Sequence, residues 1–101
     1  MVGVVSTSDL DAPLGARRTF VQFSSAFCRP CRATRQVLER VAATTDGVVH
    51  VELDVADARG LAEAFEVAQT PTVLVLDETG VVLHRLVGVP TVAAARAVVA
   101  G

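Results

Sequence analysis

A single α/β domain, with a central mixed sheet of four or five strands and helices on both faces, is predicted by three observations. Short runs rich in β-branched residues alternate with stretches whose apolar residues recur every three to four positions. The last two strand-like runs are separated by a turn alone, Asp77-Glu78-Thr79-Gly80. The 101 residues suffice for one domain with its own core and leave no stretch that reads as a linker or a repeat, so residues 1–101 form the unit. Strands separated by helices imply parallel pairs with right-handed crossovers, and the terminal hairpin adds an antiparallel edge.

The elements follow in order. Val2–Val5 is a short apolar run that reads as an edge strand, followed by Ser8-Asp9-Leu10-Asp11 and a break at Pro13 and Gly15. Thr19–Ser24 is a strand carrying two aromatic and two β-branched residues. From Cys31 the apolar or small residues Thr34, Val37, Leu38 and Val41 keep helical spacing, with Arg32, Arg35, Glu39 and Arg40 on the other side as a solvated face. The polar patch Thr44-Thr45-Asp46-Gly47 ends that helix. Val48–Val55 alternates as a second strand. A helix over Asp57–Ala68 places Leu61, Phe65 and Ala68 on one face until Gln69-Thr70-Pro71 breaks it. Thr72–Leu76 and Val81–Val87 form the hairpin, and Pro90-Thr91 opens a last helix over Val92–Ala100 with Thr91 as its cap.

Composition excludes several classes of function. Half the residues are apolar and a fifth are charged, which suits a folded domain rather than a disordered chain. A net charge of −2 gives no reason to expect nucleic acid or an anionic membrane as partner. No apolar run approaches the ~18 residues that span a bilayer, so no membrane contact is expected of this segment. All nine basic residues are arginine, and Trp and Tyr are absent. The opening Met1-Val2-Gly3 lacks the charged lead of a signal peptide, which points to a cytoplasmic protein. The alternative is an extracytoplasmic domain of an anchored protein.

The chemistry concentrates in Phe27-Cys28-Arg29-Pro30-Cys31, where a strand gives way through small residues to a helix. Two thiols at this spacing can close and reopen a small disulfide ring, and the first faces the partly positive helix end, which favours its thiolate. So short a loop adds little to stability, so the value of the pair is chemical. Arg29, one residue from that thiolate, favours the charged form further. Two other readings stay open on the residues alone: a pair of unreactive core thiols, and part of a zinc site. Zinc needs about four ligands, and His50 and His84 are isolated on strands, so no metal is expected and each His reads as an ordinary strand residue.

Together with Thr70-Pro71-Thr72 some forty residues on and Gly88 after the hairpin, this motif resembles the thioredoxin family over nearly the whole chain. The resemblance implies a thioredoxin fold and a dithiol–disulfide oxidoreductase acting on protein disulfides. Cys28 would attack, Cys31 would be the buried resolving thiol, and Pro71 would be a cis-proline facing them. Thr70 would offer its backbone to substrate near Gly88. No bound cofactor is implied, since the cysteine pair stores the electrons; a reductase-like flavoprotein or a membrane thiol carrier would recycle them, and a monomer is expected. Two rivals are a membrane-tethered extracytoplasmic thiol carrier and a non-catalytic thioredoxin-like binding module.

Several residues depart from the family pattern. Phe27 stands for the usual Trp, as a core aromatic or part of an apolar rim, Arg29 for Gly, and Gln36 for a helix-kinking proline. Gln22 takes the place of a buried Asp, and Glu52 that of a Lys near it. Glu52 is therefore expected either to face solvent or to hydrogen-bond Gln22 and serve, with a pKa raised by burial, as the base for Cys31.

Overall fold

In the computed structural model, which describes residues 3–100, the central strand is β1 (Arg18–Ser24). Around it stand α1 (Thr7–Leu10), α2 (Arg29–Ala43), β2 (Val48–Asp54), α3 (Arg59–Ala64), β3 (Thr72–Leu76), β4 (Val82–Val87) and α4 (Val92–Val99). The four-stranded sheet has the order β2-β1-β3-β4.

Helix length decides strand direction. The 15 residues of α2 span about 22 Å, close to the roughly 23 Å of a seven-residue strand. The chain therefore returns to the start of the sheet, and β2 pairs parallel to β1 with Gln22 beside Glu52. The six residues of α3 span only about 9 Å and cannot make that return. β3 enters from the end where β1 finishes, with Thr72 opposite Phe23, and runs antiparallel. This corrects the expectation that every helix-separated pair is parallel. It also brings Pro71 to the end of the sheet where the Cys28 turn lies.

The two faces of β1 read alternately. Phe20 packs with Val73 and Val75 beneath Leu38 and Val41 of α2 and Ala95 and Val99 of α4. On the opposite face Val21, Phe23, Leu74 and Leu76 meet Val5, Leu10 and Ala62, so α1 and α3 cover that side. Phe20 and Phe23 are fully buried, and each burial stabilises the fold by roughly 2–3 kcal/mol.

Two expectations need adjustment. Val2 lies outside the described residues, and the rest of the proposed edge strand makes a single antiparallel bridge, Val4 to Val81. The Asp57–Ala68 helix shrinks to α3, because Asp54 accepts from the Ala56, Asp57 and Ala58 amides at 2.8, 2.9 and 3.0 Å and holds a turn there. At its other end Glu66 takes a left-handed φ of 53°, and Val67 N–H reaches back to Ala62 C=O at 2.9 Å, a helix-terminating motif usually built on glycine. Thr91 caps α4 as expected, its hydroxyl accepting from Ala94 N at 3.0 Å.

Candidate active site

The strand-to-helix junction follows from local sequence. β1 ends at Ser24, and Phe27 turns the chain with a left-handed φ of 59°, a conformation costly for an aromatic residue. Its ring is fully exposed, which selects the rim over the core for Phe27. Cys28 is the N-cap of α2, and Pro30 sits in the first turn, where a missing N–H removes nothing the helix uses. α2 thus begins two residues before Cys31.

Cys28 and Cys31 are joined as a disulfide, with Cα atoms 5.2 Å apart. Cys28 remains partly open to solvent, whereas Cys31 is 1% exposed. The Cys31 backbone N–H donates to Cys28 Sγ at 3.1 Å, one of the orphan amides of the helix start. Thr70 Oγ1 lies 3.9 Å from Cys28 Sγ and 2.9 Å from Ser25 Oγ. The Thr70–Pro71 bond is cis. Gly88 N–H donates to Pro71 C=O at 3.0 Å with φ of 83°, so its backbone shape rather than crowding calls for glycine. Exposed Val87 and Val89 flank it in the chain and add apolar surface next to the Pro71 backbone, while exposed Phe27 adds apolar surface at the Cys28 turn.

Beneath Cys31 the apolar face of the sheet turns polar. Gln22 is fully buried, and its amide nitrogen lies 2.8 Å from Cys31 C=O, 3.0 Å from Ser24 Oγ and 3.3 Å from Glu52 Oε2. With acceptors on that side, Oε1 must accept, so His50 Nε2 at 2.9 Å carries the proton. Ser24 Oγ donates to Glu52 Oε2 at 2.6 Å. Arg35, one turn along α2 from Cys31, clamps both Glu52 oxygens, from Nε at 2.5 Å and Nη2 at 3.0 Å.

Glu52 keeps the expected hydrogen bond to Gln22, but neither the solvent-facing orientation nor the raised pKa expected of a base is found. Its side chain is 23% exposed and turned inward rather than to solvent. Burial pushes its pKa up, but Arg35 and Ser24 outweigh burial and hold it below the usual carboxylate value, away from the range of a base at neutral pH. The Arg35 pKa is raised in turn, chiefly by the hydrogen bond to Glu52. His50 is no ordinary strand residue either: burial lowers its pKa against the opposing pull of Glu52, which favours the neutral ring. Arg35, Ser24 and His50 are the site residues that sequence reasoning missed. The one signal was spacing, since Arg35 lies four residues from Cys31 and so on the same helical face.

Gln22, Glu52, Cys28, Cys31, Thr70, Pro71 and Gly88 thus meet at one end of the sheet. Arg29 stands exposed beside them, with no ion pair among the described residues. No group of three or more His, Cys, Asp or Glu among the described residues is placed to hold a metal ion.

The thioredoxin family model matches residues 2–99. A thioredoxin from Chlamydia pneumoniae is 31% identical over 88 residues, covering 87% of this chain and 85% of its own. One from Staphylococcus epidermidis is 32% identical over 85 residues, covering 83% and 81%. Among solved structures, a mutant thioredoxin from Halobacterium salinarum superposes with a TM-score of 0.72 at 24% identity, covering 96% of this chain and 93% of that one. Chloroplastic thioredoxin z gives 0.73 at 24% identity, covering 83% and 76%.

Proposed function

The chain belongs to the thioredoxin family and is a dithiol–disulfide oxidoreductase, and from that premise we propose a reductase of protein disulfides in which Cys28 attacks and Cys31 resolves. The observation that carries this reading is the asymmetry of the pair. Cys28 is partly exposed at the helix start, and Cys31 is covered yet covalently within reach.

In the reduced protein the Cys28 thiolate attacks one sulfur of a substrate disulfide, and the other substrate sulfur leaves as a thiolate. Cys31, losing its proton, then attacks Cys28 Sγ and expels the second substrate thiolate. Two electrons pass to the substrate and the Cys28–Cys31 disulfide closes. The Cys31 N–H directed at Cys28 Sγ, the helix dipole and the Arg29 charge all favour the attacking thiolate. Glu52 stays ionised and clamped by Arg35, so it acts as an anchor: it fixes Gln22, which holds the Cys31 carbonyl, and solvent takes the Cys31 proton.

The family implies protein disulfides as substrates and a reductase as electron donor in general. Our reading adds a flavoprotein reductase as that donor, a monomer, no bound cofactor and a cytoplasmic setting, in keeping with the sequence. Among the described residues no helix is long and apolar enough to cross a membrane.

Insulin reduction in the presence of dithiothreitol tests the catalytic reading. The protein is expected to shorten the lag before insulin precipitates, and Cys28→Ser to abolish this. A lag equal to that of dithiothreitol alone would leave only a binding module.

A further inference from the structure

A cavity of about 360 Å³ opens beside the disulfide, lined by Ser25, Phe27, Cys28, Cys31, Arg32 and Arg35. Among its described lining residues there is no carboxylate. Its two cations are not equivalent. Arg35 is committed to Glu52. Arg32 is exposed, and its guanidinium has no ion-pair or hydrogen-bond partner among the described residues. Arg29, three residues earlier on the same face of α2, is equally exposed and equally unpaired.

Acidic side chains gather in another cavity. A second cavity, of about 550 Å³, is lined by Asp9, Asp11, Glu52, Asp54 and Asp57 with Arg59 as its one cation. A disulfide approaching Cys28 therefore meets a cationic wall on the α2 side. Exposed Phe27 lines this cavity, and exposed Val87 and Val89 flank Gly88, which holds the Pro71 carbonyl; apolar surface on both segments suits a stretch of polypeptide rather than a small thiol.

We propose that Arg32, seconded by Arg29, makes this surface select polypeptide disulfides whose cysteine is flanked by acidic residues. The selection rests on the reductase reading above and names its substrate class. Opposite charges brought together at an exposed site attract modestly and are screened by salt, so the preference is greatest at low ionic strength and fades as salt rises. It acts on encounter and alignment rather than on the sulfur chemistry.

The test uses the pre-reduced full chain and fluorogenic peptides that each contain one disulfide, with Glu, Gln or Lys on either side of the reacting cysteine. The quantity read is the ratio of second-order rate constants for the Glu and Lys peptides. Any change a mutation makes in Cys28 reactivity cancels in that ratio. The wild type is expected to favour the Glu peptide by roughly three- to tenfold at low salt and by much less at 0.5 M. Arg32→Gln should narrow the ratio and Arg32→Glu should bring it to one or below. A wild-type ratio of one, or a ratio unmoved by Arg32→Glu, overturns the selectivity while leaving the reductase intact. Failure to reduce any of the three peptides, or insulin, overturns the reductase reading and the selectivity with it.

Discussion

Glu52 and Arg35 face each other across the seam between β2 and α2, with both carboxylate oxygens engaged by the guanidinium at 2.5 and 3.0 Å. This places an acid on the strand and a cation on the helix beside Gln22, a neutral amide that hydrogen-bonds the Cys31 carbonyl. A paired, ionised Glu52 is a poor proton acceptor and a good anchor, because its Oε2 also accepts from Ser24 and Gln22.

Glu52→Gln should therefore cost stability rather than chemistry. The loss is expected at about 1–2 kcal/mol at pH 7, since one partner of a partly exposed pair is removed and its neighbours lose an acceptor. The folded pKa of Glu52 is depressed, so its contribution is full above the ordinary carboxylate pKa and fades as pH falls through the lower, folded value. Urea denaturation should show the mutant converging on the wild type in acid. Mixed-disulfide resolution, followed from pH 5 to 9, should keep its wild-type pH profile; loss of a titration near neutral pH in the mutant would restore Glu52 as the base.

His50 gives a spectroscopic check on the same network. Its ring is expected neutral at pH 7 with the proton on Nε2, donating to Gln22, and to protonate below the ordinary histidine value. Nitrogen NMR of the ring reads both directly. Because the folded pKa is lowered, stability is full above about pH 6.5 and declines as acid protonates the unfolded chain preferentially. A proton on Nδ1 would mean that Gln22 is turned the other way.

Arg29→Gly should make the Cys28–Cys31 pair more reducing. Removing the charge weakens the thiolate and thus the dithiol form, by at most about 30 mV for a tenfold change in that equilibrium. Equilibration with glutathione at low and high salt measures it. The difference should shrink with salt, and an unchanged or less negative potential would remove Arg29 from the mechanism.

Two glycines should respond differently to alanine. A Cβ on Gly80 would lie 2.1 Å from Val5 C=O, and its φ of 92° is already left-handed, so Gly80→Ala should cost about 2–4 kcal/mol. Gly88 has the same kind of φ, 83°, but open space around it, so Gly88→Ala should cost only about 1 kcal/mol. Thermal unfolding of the two variants separates steric from conformational need.

The sequence made local features legible and tertiary ones opaque. Thr72–Leu76 and the Thr91 cap are readable because runs and caps are written in adjacent residues. The cysteine turn is readable for the same reason, since thiols, proline and helix start lie within four positions. The end of α3 was missed because a glutamate, Glu66, occupies the left-handed position where glycine would have signalled it. The direction of β3 was missed because it depends on the length of α3. Arg35 looked like one more solvated arginine, since nothing in the sequence of α2 tells that β2 brings Glu52 beneath it.

The central claim is that Cys28 attacks and Cys31 resolves, and trapping tests it most directly. Cys31→Ser and Cys28→Ser proteins are each reduced, mixed with an oxidised protein substrate, quenched with acid and separated on non-reducing gels. Covalent adducts should accumulate with Cys31→Ser, because the attack succeeds and release is blocked. Cys28→Ser should yield almost none, since the remaining thiol is 1% exposed. Adducts that accumulate with Cys28→Ser and not with Cys31→Ser would contradict the account.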